Sequence, residues 1–196
     1  SYFRVDKTAP NITLETPANN SNLTGAQLGF NFTATDNFDT SLTCNLTIDT
    51  SLQKQNFAAA NGTLTNATID SSLADGAHYW AIQCMDNAGN RNTTAARNFT
   101  YDTAPPQVTL NAPANNTFNN SRNVSFTYTP NDVTTTTSNC TLLINGSVNR
   151  TDTEIENTQQ NNLTVQGFNE GVYLWNVQCI DVVGNINRST LNFTIT

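Results

Sequence analysis

The chain has 196 residues and a formal net charge of -7, and because only 12% of its residues are charged, Asn, Thr and Ser supply most of its polar surface. Eight Lys plus Arg without a basic cluster argue against a nucleic-acid binder, since neutralising phosphates requires grouped cations. No apolar run approaches the roughly 18 residues that a membrane span needs, and no signal peptide opens the chain, so we expect that a leader was removed or lies outside this stretch.

The first six residues, SYFRVD, introduce an internal repeat. They align with RNFTYD at residues 97–102, and both segments are followed by Thr-Ala-Pro. The repeat has a period near 95 residues, which predicts two domains that are each large enough to bury a core, over residues 7–102 and 103–196. Residues 1–6 then form a separate short segment.

Two interpretations of this N-terminal segment stay open. It is the closing strand of a preceding domain, in which case the chain is a window from a longer array. Alternatively it is a donor strand whose Tyr2, Phe3 and Val5 add to an exposed sheet edge of a neighbouring subunit. The Thr-Ala-Pro segments that follow, at residues 8–10 and 103–105, predict short, stiff linkers with domains in line, because Pro lacks an amide donor and favours extended backbone before it.

Alternating apolar residues predict three inward-facing strands after each linker. In the first repeat these residues are Ile12 and Leu14, then Leu28, Phe30, Phe32 and Ala34, then Leu42, Cys44, Leu46 and Ile48. In the second they are Val108 and Leu110, then Val124, Phe126 and Tyr128, then Cys140, Leu142 and Ile144, where Leu143 breaks the alternation. A Pro-Ala-Asn-Asn turn follows the first strand in both repeats.

The remainder of each repeat predicts three more strands. A polar strand lies near residues 63–69 or 162–165 and precedes the most similar stretch of the two repeats, GAHYWAIQCMDNAGN and GVYLWNVQCIDVVGN. That stretch buries alternate residues beginning with Trp80 or Trp175 and ends in Asp-x-x-Gly-Asn, a composition typical of tight turns. A closing strand follows. Six to eight strands per repeat without helical periodicity predict an all-β fold of two β-sandwich domains.

The four cysteines divide evenly, with Cys44 and Cys84 in the first repeat and Cys140 and Cys179 in the second. Pairing within each repeat is the simplest of the three connectivities, and buried free thiols are the alternative. A zinc site lacks the CxxC motif or clustered His that it needs. Two disulfides predict an oxidising, extracytoplasmic location.

Asn-x-Ser/Thr tripeptides are frequent, although a chain this rich in Asn and Thr produces many of them by composition alone. Most of the candidates that we select as glycosylation sites lie at outward positions of predicted strands, where a glycan does not disturb the core. The candidates are Asn31, Asn45, Asn98, Asn123, Asn145 and Asn192.

The chain resembles the immunoglobulin-like and fibronectin-type-III-like repeats of bacterial and archaeal surface proteins. The resemblance lies in the Thr-Ala-Pro linker, in the Trp and Cys on the penultimate strand, and in the Asp-x-x-Gly-Asn turn after that strand. The resemblance covers nearly the whole chain twice. It departs from antibody domains, because here the first Cys lies on the third predicted strand, which is expected to neighbour the Trp strand in the same sheet. The resemblance implies a modular structural unit of adhesins, surface layers, stalks or filaments.

Residues that suggest catalysis have structural explanations. His78 is the only histidine, and its counterpart in the second repeat is Tyr173, which favours packing or hydrogen bonding over acid–base chemistry. Trp80 and Trp175 share a strand face with the cysteines, which predicts core packing instead of sugar stacking. No nucleophile motif is present, so we expect no enzyme.

Acidic residues offer one alternative, because Asp36, Asn37 and Asp39 follow a strand while Asp86 and Asp102 flank the turn and linker. Converging oxygen ligands suit calcium. However, the second repeat retains only two acidic residues of this set, Asp132 and Asp181, and Asp is common in turns without metal. We therefore expect no metal and no cofactor, with calcium as the alternative.

These observations predict a noncatalytic structural segment of a secreted, glycosylated surface or filament protein, located outside the cell. The expected partners are neighbouring repeats or copies of the same protein, with glycans as a further candidate and with neither nucleic acid nor a membrane. The alternative is an adhesin-type binding module that recognises carbohydrate or a partner protein through its loops.

Overall fold

The computed structural model describes residues 5–70 and 73–196, and the chain divides into two compact units between Tyr101 and Asp102. The regular elements of the described residues are all strands. The first domain contains β1 (Asn11–Thr16), β2 (Ser21–Leu23), β3 (Gln27–Thr35), β4 (Ser41–Ile48), β5 (Ser51–Ala60), β6 (Leu64–Asp70), β7 (Gly76–Met85), β8 (Arg91–Thr93) and β9 (Arg97–Tyr101). The second contains β10 (Gln107–Ala112), β11 (Thr117–Asn119), β12 (Val124–Asn131), β13 (Thr137–Ile144), β14 (Ser147–Asp152), β15 (Asn161–Val165), β16 (Gly171–Asp181) and β17 (Ile186–Ile195). Over the same residues, no helix has the length and apolar character to cross a membrane.

Each domain contains a small sheet and a large sheet. The strand order within each sheet is the same in the two domains. In the first domain the small sheet has the order β1-β3-β6 and the large sheet β2-β9-β7-β4-β5, with β8 pairing β7. In the second domain the orders are β10-β12-β15 and β11-β17-β16-β13-β14. The short strands β2 and β11 run parallel to β9 and β17, whereas the other pairs are antiparallel.

The inward faces of the two sheets meet in one apolar core per domain. In the first domain the ring of Phe30 on β3 lies 5.1 Å from the ring of Trp80 on β7. In the second, Phe126 on β12 lies 5.1 Å from Trp175 on β16 and 5.6 Å from Phe193 on β17. These side chains are at most 1% exposed. The prediction of an all-β fold built from sandwiches is therefore confirmed.

The sequence analysis missed the strands that expose both faces. It predicted no strand in residues 51–60 or 147–152, but these residues form β5 and β14 at the edges of the large sheets. Only Ala59 is buried in β5, and no residue is buried in β14, so neither strand shows an apolar alternation. Leu143, which breaks the alternation of its own strand, lies at a register shift between β13 and β14.

The N-terminal strand stays a prediction. Tyr2 and Phe3 lie outside the described residues, and Val5 is 69% exposed and precedes β1 without joining a strand. The backbone that follows is held by asparagine side chains, because Asn90 Nδ2 donates to Asp6 O at 3.4 Å and Asn92 Nδ2 donates to Pro10 O at 2.8 Å.

Candidate metal centres

The Asp-x-x-Gly-Asn turns form as their composition predicts. In the first domain Asp86 accepts hydrogen bonds from Asn90, through the backbone N–H at 2.8 Å and through Nδ2 at 2.7 Å, and Gly89 has a φ of +91°. Asp181 and Asn185 make the same two bonds in the second domain, at 2.9 and 2.8 Å. Burial of the Asp86 carboxylate opposes its ionisation, but these bonds from Asn90, with backbone N–H donors of the turn, lower its pKa below the ordinary value.

The loop after the second strand of each small sheet presents another aspartate. Asp36 Oδ1 accepts the backbone N–H groups of Phe38 and Asp39, at 2.9 and 3.2 Å. Asp132 Oδ1 likewise accepts those of Thr134 and Thr135, at 3.1 and 2.9 Å. Short polar side chains stabilise such turns by bonding to the backbone two and three residues ahead.

These aspartates join a linker aspartate in two carboxylate clusters. In the second domain Asp102, Asp132 and Asp181 each place a carboxylate oxygen within 4.8 Å of the others, and their side chains are 0%, 7% and 2% exposed. In the first domain the cluster contains Asp6, Asp36 and Asp39, which are half-buried and equally close. In the second domain the three acidic groups come from the linker, the loop after β12 and the turn after β16, whereas in the first domain they come from the segment before β1 and the loop after β3.

The carboxylate clusters lack positively charged partners among the described residues. Among the described residues, no Lys or Arg forms an ion pair with these carboxylates; the ion pair found is between His78 and Asp49. The Oδ2 atoms of Asp6, Asp36 and Asp132 are buried and have no hydrogen-bond partner. A site made of carboxylate oxygens has the chemistry that a hard divalent cation prefers.

The sequence analysis discounted a metal because it counted two acidic residues in the second repeat and because Asp is common in turns, and it counted Asp102 with the first repeat. The chain divides before Asp102, and this residue contacts its own domain through Ala104 N–H, which donates to Oδ1 at 3.0 Å, and Thr135 Oγ1, which donates to Oδ2. Thr135 occupies the position equivalent to Asp39. The second domain thus has three clustered carboxylates, where the sequence suggested two.

The four cysteines form the two expected disulfides, Cys44–Cys84 and Cys140–Cys179. Each bond joins residues that lie directly opposite one another on antiparallel neighbours of the large sheet, β4 with β7 and β13 with β16. All four residues are fully buried. The bridges therefore link strands within one sheet, as the order of the predicted strands indicated, instead of linking the two sheets.

His78 has a structural environment. Its Nδ1 lies 2.5 Å from Asp49 Oδ2 and its Nε2 lies 2.8 Å from Ala74 O, so both ring nitrogens face acceptors. Burial alone lowers the pKa of His78, but the hydrogen bonds to Asp49 and Ala74 and the charge of Asp49 raise it above 6.5. Tyr173, its repeat counterpart, donates from its hydroxyl to Asn169 O at 3.1 Å. Both side chains thus tie their strand to the preceding turn.

The glycosylation candidates differ in what their amides contact. Asn31 uses Nδ2, the atom that a glycan would occupy, to donate to Thr16 Oγ1 at 2.8 Å. Three others use Oδ1 as an acceptor for backbone N–H groups of neighbouring segments, which leaves the Nδ2 position for a glycan; they are Asn45, Asn145 and Asn192. Asn98 and Asn123 are exposed at the surface.

The family model for bacterial Ig-like domains matches residues 7–103. The first domain is a bacterial Ig-like domain. The resemblance inferred from the linker, the Trp strand and the Asp-x-x-Gly-Asn turn is therefore confirmed. The second domain repeats the strand order and the disulfide of this Ig-like domain, and it also contains a cluster of three aspartates, of which two occupy equivalent positions.

Comparisons with individual proteins show similarity at 14–33% sequence identity. Halomucin of Haloquadratum walsbyi is 33% identical over 94 residues, which are 48% of this chain but 1% of halomucin. The fibronectin(III)-like modules of Clostridium thermocellum CbhA superpose with a TM-score of 0.49 and 18% identity over 95% of this chain and 94% of theirs. A structure of a 1.5-MDa bacterial ice-binding adhesin superposes with a TM-score of 0.47 and 14% sequence identity. The match covers 97% of this chain and 66% of that structure.

Proposed function

We propose that this chain is a noncatalytic structural segment of an extracellular surface or filament protein, in which disulfide-clamped Ig-like domains build an extended array. The observation that supports this proposal most is the position of the disulfides. Each joins the two strands at the centre of a large sheet, β7 to β4 or β16 to β13, and closes a loop of 40 or 39 residues. A covalent link there keeps the sheet centre together when the domain is stretched or frayed.

The chemistry of the same bonds supports an extracellular location. Structural disulfides form and persist where the surroundings are oxidising, and four fully buried bridging sulfurs are typical of secreted domains. The similarity to a 94-residue stretch of halomucin also supports a repeat from a longer chain, because that stretch is only 1% of halomucin. Neighbouring repeats or copies of the same protein are then the natural partners.

We also propose glycans on the outward asparagines of both domains. The favoured sites are those whose Nδ2 donates no hydrogen bond within the described residues, namely Asn45, Asn98, Asn123, Asn145 and Asn192. Asn31 is disfavoured because a glycan on Nδ2 replaces its hydrogen bond to Thr16. A glycan coat fits a chain whose surface has few charges and many amides.

The proposal is tested on protein isolated from its native source. Intact mass before and after reduction should show a gain of four hydrogen atoms for the two disulfides, and deglycosylation should lower the mass at the favoured sites. An antibody against this chain should label the surface of intact cells, and electron microscopy should show it in repeating arrays. Labelling only after lysis would contradict the proposal, and monomeric particles that bind glycans on an array would favour the adhesin-type alternative.

A further inference from the structure

The outward face of the large sheet in the second domain carries apolar side chains that its own domain leaves uncovered. Phe118 on β11 is 77% exposed, and Val172 and Leu174 on β16 are 69% and 52% exposed. Phe118 and Val172 are both register partners of Thr194 on β17, so they flank it on one face of the sheet. Leu174 follows Val172 on the same side of β16. Exposed apolar side chains that cluster in this way typically mark a contact site.

The first domain has a pocket at the equivalent position. The pocket has a volume of about 360 Å³, and its lining includes Ala77 and Tyr79 of β7 and Asn98 and Thr100 of β9. Tyr79 is 40% exposed. Sites for small molecules have volumes of about 300–1,000 Å³, so this pocket has room for a compound of the size of a sugar.

Both surfaces surround the same short motif. Asn98-Phe99-Thr100 on β9 and Asn192-Phe193-Thr194 on β17 are Asn-x-Thr tripeptides at equivalent positions of the two repeats. Because side chains alternate along a strand, the Phe of each motif lies in the core, at most 1% exposed, and the Asn and Thr lie on the outward face. The two residues that glycan attachment requires therefore share a face with the apolar side chains.

The Asn of each motif lies directly opposite one of these apolar side chains. Tyr79 is the register partner of Asn98, and Leu174 is the register partner of Asn192. The Cβ atoms of such partners are about 4.5–5.5 Å apart. Neither Asn uses its Nδ2 as a donor within the described residues, and Asn192 Oδ1 accepts the Asn116 N–H at 3.1 Å, which orients its amide. A sugar on Nδ2 therefore begins within reach of the opposite side chain.

We propose that the Asn of both motifs, Asn98 and Asn192, is glycosylated. The first sugar of each glycan packs against the outward apolar side chains, which are Tyr79 in the first domain and Val172 with Leu174 in the second. One face of a pyranose ring consists of C–H groups, so the ring removes these side chains from water while its hydroxyls stay hydrated. This inference rests on the glycosylation proposed above and selects two of the asparagines favoured there.

A separate protein suits this surface less well than an attached sugar. The apolar area consists of two or three side chains in each domain, whereas a stable protein interface takes about 20–30 residues from each partner. The surrounding side chains are amides and hydroxyls, which include Asn116 and Thr194. Asn192 lies directly opposite Leu174, so a protein that covers Leu174 also covers the attachment site.

The test uses the full chain, produced in its native source. Mass spectrometry of glycopeptides should find sugar on Asn98 and Asn192. Thr194→Ala removes the attachment signal but keeps Asn192 and its bond to Asn116, whereas Thr194→Ser keeps the signal and is the matched control. Hydroxyl-radical oxidation of the Val172 side chain should at least double in Thr194→Ala, because oxidation follows exposed area, and should stay at the parent level in Thr194→Ser.

The first domain provides an equivalent pair of variants. Thr100→Ala should raise the oxidation of Tyr79, and Thr100→Ser should leave it unchanged. Val133 is the reference, because it is 84% exposed in the loop after β12 and should be oxidised equally in every variant. Each Ala variant should change only the side chains of its own domain.

Different results would overturn this inference and the glycosylation on which it rests. Sugar on other asparagines but not on Asn98 or Asn192 would overturn the inference alone, whereas a chain without any sugar would overturn both. If the two sites carry sugar but its loss leaves the oxidation of Val172 and Tyr79 unchanged, the glycans extend into water and the packing is wrong. If Val172 is protected equally in Thr194→Ala, a protein partner covers this face instead.

Discussion

In this chain, asparagine side chains form many of the hydrogen bonds that charged side chains and additional strands form in other domains. Asn61 donates through Nδ2 to the carbonyls of Asp36 and Asp39, at 2.6 Å each, and accepts the Asp36 N–H at 3.0 Å. Asn157, its repeat counterpart, makes the same pair of bonds with the backbone of Asp132, at 3.0 and 2.9 Å. An amide can donate and accept at once, so it replaces a missing strand partner at a loop.

The pair formed by His78 and Asp49 predicts a pH dependence. Because the pKa of His78 in the folded chain is raised above 6.5, protonation of His78 contributes stability that is present below about pH 6.5. This contribution is lost as the pH rises through the pKa of the folded state. Asp49→Asn removes the charge that raises the pKa, so the pKa of His78 in this variant should be lower than in the parent.

The measurement is an NMR titration of the His78 ring protons in both proteins. Asp70→Asn is the control, because Asp70 is exposed on β6 in the opposite sheet and should leave the His78 pKa unchanged. An unchanged His78 pKa in Asp49→Asn would show that the hydrogen bond to Ala74 O accounts for the shift.

The internal repeat determined which individual residues could be assigned a role from the sequence. The exchange of His78 for Tyr173 pointed to a structural role, and both side chains do bond to the preceding turn. Asp102 was misplaced, because composition does not show which domain a linker residue packs against. Its cluster forms only when residues about 30 and 80 positions apart meet in the fold, and no local pattern records such distances.

Among the secondary-structure elements, the burial of a strand determined whether it could be predicted from the sequence. Strands with one buried face alternate, as in β3, where Leu28, Phe30, Phe32 and Ala34 are buried, and these were predicted. The edge strand β5 has a single buried residue, Ala59, and the short parallel strands β2 and β11 have none, so they produce no period. Each of these strands pairs with a neighbouring strand, and the register of that pairing is fixed only in the assembled sheet.

The β4–β7 pair predicts a stability effect that is confined to one domain. Replacing both residues, Cys44→Ala with Cys84→Ala, frees a loop of 40 residues in the unfolded chain. The entropy model gives a loss of about 4 kcal/mol in the free energy of unfolding for a loop of this length. Urea unfolding, followed by NMR signals assigned to each domain, should show an earlier transition for the first domain.

The matched variant is the second pair, Cys140→Ala with Cys179→Ala, which should shift only the transition of the second domain. If either double variant moved both transitions equally, the disulfide would act on a unit larger than one domain. If neither moved its transition, strand pairing and core packing alone would account for the stability.

For the whole molecule, the repeat is what made the architecture predictable. Two copies of one pattern reveal which positions are constrained, because the residues shared by both, such as Trp80 with Trp175 and Cys84 with Cys179, are buried in both. The function is less visible, since the features that distinguish a structural segment from a binding module lie on the surface, where the copies differ. Tests at this scale must therefore measure the behaviour of the chain as a whole.

Stretching the chain provides such a test. With the disulfides intact, force can extend only the residues outside each bridged loop, and the 40 and 39 residues between paired cysteines stay locked. At about 3.3–3.6 Å per residue, reduction should add roughly 130–140 Å to the extended length released by each domain. Single-molecule force spectroscopy with and without reductant measures this difference directly, and the Cys44→Ala with Cys84→Ala variant should already show the longer step for one of its two domains. Equal step lengths under all three conditions would mean that the bridges do not limit extension, and the mechanical role proposed for them would be wrong.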